Sequence, residues 1–92
     1  MRKIKIVNTV SCDKNDWRFQ GQDKYLDNIS LIKSQYVVTD PTWDHDHCDF
    51  CMDKFSEREG DLRKGYCTAD EKHWICEKCF HDFSDMFHWI VR

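Results

Sequence analysis

His47-Cys48-Asp49-Phe50-Cys51 and Trp74-Ile75-Cys76-Glu77-Lys78-Cys79-Phe80 are the two stretches that decide how this chain folds. Each carries a Cys-x-x-Cys pair, and 24 residues lie between Cys51 and Cys76. A two-residue spacing brings both thiolates of a pair onto one ion within a single tight turn, and two such pairs a modest loop apart can converge on one tetrahedral centre. The spacing predicts one structural Zn²⁺ held by Cys48, Cys51, Cys76 and Cys79. Four nearby residues, His45, His47, Cys67 and His73, are the alternatives that could replace one of these ligands.

Outward from the pairs, the pattern continues. Gly65-Tyr66-Cys67-Thr68 and Lys72-His73-Trp74-Ile75, joined through Ala69-Asp70-Glu71, read as two short strands of a hairpin. From Cys76 to Val91, Phe80, Phe83, Phe87 and Ile90 recur at steps of 3, 4 and 3, the spacing of one helix face, and Cys79 falls on that face. The second pair therefore opens a helix, where free N–H groups and the positive end of the dipole favour thiolate charge. Knuckle, hairpin and helix in this order resemble the treble-clef zinc fingers over residues 43–92. Such knuckles often carry Gly after the second Cys; here Met52 holds the place, at a strain of roughly 1 kcal/mol if the same left-handed backbone is kept. Trp17, Gly21-Gln22, Lys24-Tyr25-Leu26, the Asp44–Cys48 run and Trp74-Ile75-Cys76 together also resemble a group of short bacterial zinc-binding proteins, a resemblance that implies no activity.

The chain has 92 residues and a formal net charge of −3. So short a chain has a thin core, and a metal staple supplements it. One domain over 1–92 is expected, with a strand-helix-strand part at 1–42 and the zinc-binding part at 43–92; the fold class is α+β. The six cysteines could form disulfides in a secreted protein, but Met1–Asn8 has basic residues without a following apolar run, so the reading is a reducing cytoplasm. No stretch approaches the roughly 20 apolar residues that span a bilayer. Residues 41–92 carry seven basic and twelve acidic groups, against seven and five in residues 1–40. An acidic zinc half repels phosphate and weighs against nucleic acid as partner.

Within 1–42, Ile4, Ile6 and Val7 among basic residues read as a first strand over Lys3–Val10. Asp13, Asn15 and Asp16 are candidate caps for a short helix running to about Asp27 and weakened by Gly21. Ile29–Val38, rich in Ile, Leu, Tyr and Val, reads as a second strand ended by Asp40-Pro41. Residues 53–64, dominated by charge around Phe55 and Leu62, read as a solvated excursion.

Four further features bear on function. Asp44-His45-Asp46-His47 is similar to the metal-binding run of treble-clef nucleases, but there the run lies on the hairpin after the first Cys pair and here it precedes Cys48. It is read as support for the knuckle, a His bonding a thiolate or the turn while carboxylates fix the rings, and no catalytic residue is assigned. Cys76-x-x-Cys79 lacks the strand surround and the proline of a thioredoxin-type dithiol. His81, Asp85 and His88, at i, i+4 and i+7, share one helix face that could hold a second metal but equally serves as a solvated face. Four Trp, three Tyr and six Phe exceed the needs of so small a core, leaving Trp17, Phe19 and Trp89 as candidate anchors for a protein partner or a second copy of the chain. The leading expectation is a non-catalytic zinc-stabilised module that binds protein; a nucleic-acid-binding finger and a metal-dependent hydrolase are the alternatives.

Overall fold

In the computed structural model, which describes residues 15–92, eight elements follow one another: α1 (Asp23–Leu26), β1 (Ser30–Gln35), β2 (His45–His47), β3 (Lys54–Ser56), β4 (Lys64–Cys67), β5 (Trp74–Ile75), α2 (Glu77–Phe87) and β6 (Ile90–Val91). The strand expected over 3–10, the Asp13 cap and Cys12 lie outside the described residues. The fold is small and α+β: a four-stranded sheet ordered β5-β4-β1-β6, a separate β2-β3 hairpin and one main helix.

β4 and β5 form the expected hairpin, with Tyr66 opposite Ile75 and Cys67 opposite Trp74. On its other side β4 runs antiparallel to β1, Ser34 facing Gly65. Gly65 is required here by close approach: a Cβ would meet the Ile75 carbonyl oxygen at 2.6 Å and the Phe55 ring at 2.8 Å. β1 ends at Gln35, short of the Ile29–Val38 run, although the Tyr36 N–H still bonds the Arg63 carbonyl at 2.6 Å in register with the β1–β4 pairing.

Three expectations are corrected. The N-terminal helix is only the single turn α1. Asp16 caps its own turn by accepting from the Arg18 N–H at 2.9 Å, and Gly21 sits at φ +86°, so the chain cannot run helically through 17–22. The C-terminal helix stops at Phe87, where His88 takes a left-handed conformation (φ 57°) and its N–H bonds the Ser84 carbonyl. Ile90 therefore leaves the helix face: it lies 66% exposed in β6, which pairs parallel to β1. Residues 53–64 are only partly a solvated excursion, because Phe55 is fully buried in β3 while Glu57, Arg58 and Glu59 are exposed.

The core is largely aromatic. Phe50, from inside the first Cys pair, stacks on Phe83 of α2 at 4.6 Å and meets Phe87 and Trp89 edge-on. Phe80 lies between Tyr66, at 3.7 Å, and Trp89. A second group, Tyr36, Phe55 and Trp74, fills the space under β2-β3. Trp89, expected as a surface anchor, is buried and donates its ring N–H to the Leu26 carbonyl at 2.7 Å, which ties the chain's last turn to α1. Phe19 is half-buried against Phe87. Of the three expected anchors only Trp17, 67% exposed, faces solvent.

Candidate metal centre

The turn between β2 and β3 supplies the first pair. Cys48 and Asp53 close it through the Cys48 N–H to the Asp53 carbonyl, and the Met52 N–H bonds the Cys48 carbonyl at 3.0 Å. Met52 takes φ +70°, the left-handed conformation that the missing glycine would have adopted without strain. The Asp49 N–H bonds the Trp74 carbonyl at 2.9 Å, which sets the knuckle directly beside the second pair. Cys76 caps α2, its sulfur accepting from the Cys79 N–H at 3.4 Å.

These two turns bring the four Sγ atoms within 4.8 Å of one another. Cys51 Sγ and Cys76 Sγ lie 3.7 Å apart. A tetrahedral ion with metal–sulfur bonds of 2.3 Å would separate its sulfurs by about 3.8 Å, so the spacing is that of shared ligation and far from a disulfide. The donors around the sulfurs also suit thiolates. Cys48 Sγ accepts from the Phe50 and Cys76 N–H groups at 3.5 and 3.4 Å.

Thiols packed this closely cannot all ionise by themselves. Hydrogen bonds from Cys76 and Cys79 hold Cys48 far below the ordinary thiol range. The same contacts with Cys48 push Cys79 and Cys76 up, and burial pushes Cys51 up to about 12. A divalent cation at the centre removes this conflict, and the all-sulfur donor set suits zinc or iron over hard cations.

One buried cation completes the surroundings. Arg18, 7% exposed, donates Nη1 to Cys79 Sγ at 3.4 Å and to Asp82 Oδ2 at 2.9 Å. Its Nε and Nη2 bond the two Asp16 oxygens, and the guanidinium lies over the Phe83 ring at 4.7 Å. Asp16 first, with Asp82 and Cys79, raises its pKa against the effect of burial, so Arg18 stays charged. Four thiolates around a +2 ion would carry −2, and the guanidinium sets a positive charge against Cys79 that it shares with the carboxylates of Asp16 and Asp82. Buried Gln22 adds a second tie, its amide donating to the carbonyls of Asp49 and Arg18 at 2.8 and 2.9 Å.

Among the described residues, these four cysteines form the single group of three or more His, Cys, Asp or Glu within ligating reach of one another. The chain matches no family model, no curated protein and no solved structure.

The other sequence candidates lie apart from the sulfurs. His45 and His47 are exposed on β2, packed edge-on at 5.2 Å, with His45 Nδ1 on Asp44 at 2.9 Å. The support expected from these histidines comes from other residues: His73 Nδ1 holds the Asp49 carboxylate of the knuckle at 2.7 Å, and Asp46 accepts from the Tyr36 hydroxyl at 2.8 Å. Cys67 is buried in β4, 3.5 Å from the Ser34 hydroxyl, with its thiol raised by burial. His81 and Asp85 are exposed, and His88 at the helix cap lies 3.5 Å from Asp27. Arg18 and Gln22 carry no local signal of their place at the centre, because Cys79 and Asp49, which they bond there, are 61 and 27 residues away.

Proposed function

We propose that Cys48, Cys51, Cys76 and Cys79 hold one structural Zn²⁺ and that the chain is a non-catalytic, single-domain module of the treble-clef kind which binds another protein in the cytoplasm. The carrying observation is the closed donor set: four sulfurs within 4.8 Å, three of them buried, with Arg18 and backbone N–H groups already directed at them. A catalytic zinc keeps one position for water or substrate, whereas four protein ligands fill the tetrahedron and leave the ion a purely structural task. In binding, the ion would fix the relation of the knuckle to α2 and so hold the aromatic core in register. The likeness to treble-clef fingers and to short bacterial zinc-binding proteins belongs to this proposal, and no helix among the described residues is long and apolar enough to cross a membrane.

Charge supports protein over nucleic acid as the partner. Twelve acidic groups against seven basic in residues 41–92, before the −2 of a zinc tetrathiolate, make a field that repels phosphate. Trp17 and Trp43, 67% and 66% exposed, are large aromatic surfaces of the kind that anchor protein interfaces.

Metal analysis and affinity capture test the two parts separately. Freshly purified protein should carry one zinc per chain and no visible absorption of the kind that ferric thiolate gives, and Cys48→Ser or Cys76→Ser should lose both zinc and fold. Immobilised wild type should retain a protein partner or a second copy of itself, with no salt-dependent retention of DNA or RNA. Stoichiometric zinc in Cys76→Ser would remove the ligand assignment, and retention of nucleic acid alone would remove the protein-binding reading.

A further inference from the structure

On a different part of the surface, a concavity of about 580 Å³ opens between the Asp40–Trp43 turn and the tip of the β4–β5 hairpin. Tyr36 and Trp74, both 4% exposed and packed edge to face at 4.9 Å, lie at its base. Trp43 stands at its side. The turn is closed by the Trp43 N–H on the Asp40 carbonyl at 2.8 Å and fastened by Asp40 Oδ1, which accepts from the Thr42 N–H and hydroxyl. The indole N–H is committed to Asp46 at 3.2 Å, so the ring is held in place while 66% of the residue remains exposed. Val37, 57% exposed, continues the apolar surface.

Charge around this aromatic surface is one-sided. Asp40, Asp46, Asp70 and Glu71 line the concavity against Lys72 alone. Hydrogen bonds from Thr42 and from Thr68 hold the Asp40 and Asp70 carboxyls below their ordinary range, so both are charged at neutral pH. A fixed indole face beside several carboxylates is complementary to a guanidinium: the planar cation stacks on the ring, its methylene stem covers apolar surface, and its N–H fork meets carboxylate oxygens in pairs. A phosphate or a carboxylate ligand would meet net repulsion, since four carboxylates outnumber Lys72.

We propose that this groove docks a basic segment of a partner protein, an arginine side chain lying against Trp43 between the carboxylates of the turn and of the hairpin tip. The proposal rests on the protein-binding reading above and names the surface and the chemistry that reading would use.

The test uses the zinc-loaded full chain and fluorescence anisotropy of a labelled short peptide alternating arginine with glycine, beside the same peptide with citrulline for arginine. The arginine peptide should bind about tenfold or more tightly than the citrulline one, and more weakly as salt rises. Trp43→Ala and, separately, Asp70→Asn with Glu71→Gln should each weaken it about tenfold. Glu59→Gln with Asp85→Asn, which removes the same charge from other exposed positions, should leave binding unchanged. Equal affinity for the two peptides, or full affinity in both groove variants, would overturn the proposal. A captured protein partner that survives both groove variants but is lost in Trp17→Ala would likewise overturn it while leaving the protein-binding reading intact.

Discussion

Trp89 and Trp43 are the same residue in opposite settings. Trp89 is packed between Phe80, Phe87 and Phe50, and its ring N–H is spent on the Leu26 carbonyl. Trp43 has its N–H equally committed, to Asp46, yet most of the residue faces water. Around Trp89 the aromatic side chains lock α2 to the knuckle; around Trp43 a turn and a carboxylate hold an unburied ring in place. A satisfied polar handle therefore does not distinguish a structural tryptophan from a displayed one. What distinguishes them is whether apolar surface closes over the ring.

The largest effect should come from removing the metal that the four cysteines around Phe50 are proposed to hold. Structural zinc contributes roughly 10 kcal/mol of folding free energy in small domains, so a strong chelator, or Cys48→Ser, should abolish the cooperative thermal transition seen by circular dichroism. A chelated protein that keeps its transition would show that the aromatic core suffices alone.

Next in size is the direct contrast of the two tryptophans. Trp89→Ala empties a buried site and should cost about 3–5 kcal/mol in denaturant unfolding. Trp43→Ala should stay within about 0.5 kcal/mol, as exposed positions usually do. Similar losses from the two would mean that the turn at Asp40–Trp43 is a structural element, and the contrast drawn above would fail.

Arg18→Met, which keeps the apolar stem but removes the donors to Cys79, Asp82 and Asp16, should act on the metal. Loss of such outer hydrogen bonds typically weakens metal affinity about 10–100-fold, readable as faster transfer of zinc to a chromogenic chelator. Acid sharpens the point. Burial opposes the Asp82 charge, but hydrogen bonds from Lys78 and Arg18 outweigh it and hold the carboxyl below its ordinary value of 3.8. The folded pKa being depressed, the Arg18–Asp82 contribution is complete above that value and lost only as pH falls below it. Zinc thiolates compete with protons at much higher pH. On acidification, zinc release should thus precede loss of this ion pair, and the Arg18→Met variant should release zinc at a higher pH than the wild type.

The smallest effect belongs to the knuckle backbone. Met52 at φ +70° carries strain that glycine would not, offset in part by the extra freedom glycine brings to the unfolded chain. Met52→Gly should stabilise by up to about 1 kcal/mol, measured as a shift of the denaturation midpoint.

Much of the metal-side region was legible because its signals are local. Two-residue cysteine spacings, the Tyr66–Ile75 hairpin and the Phe83–Phe87 helix face each need only a few neighbouring residues, and the structure brings the four sulfurs together as that spacing implies. Phe50 was harder, since nothing in Cys-Asp-Phe-Cys says that the side chain inside a knuckle will stack on a helix 33 residues on. Arg18 and Gln22 were not legible at all, because an arginine followed by a phenylalanine reads as surface until the fold carries it to Cys79. Ile90 continued the helical period perfectly and still left the helix. A left-handed His88 and the open edge of β1 decided its place, and periodicity is blind to both. Gly65 gave a usable signal, a glycine inside a strand, which marks close approach of another backbone.

The division of the tryptophans also makes the protein, without any attached dye, its own two-channel optical sensor. Trp74 and Trp89, at 4% and 8% exposure, emit from an apolar surrounding, while Trp17 and Trp43, at 67% and 66%, emit from water. The blue part of the intrinsic emission should follow the integrity of the core as metal is withdrawn. The red part, once Trp17 is replaced by phenylalanine, comes chiefly from Trp43, so quenching by iodide reads how much of that single ring is covered while the blue part stays constant.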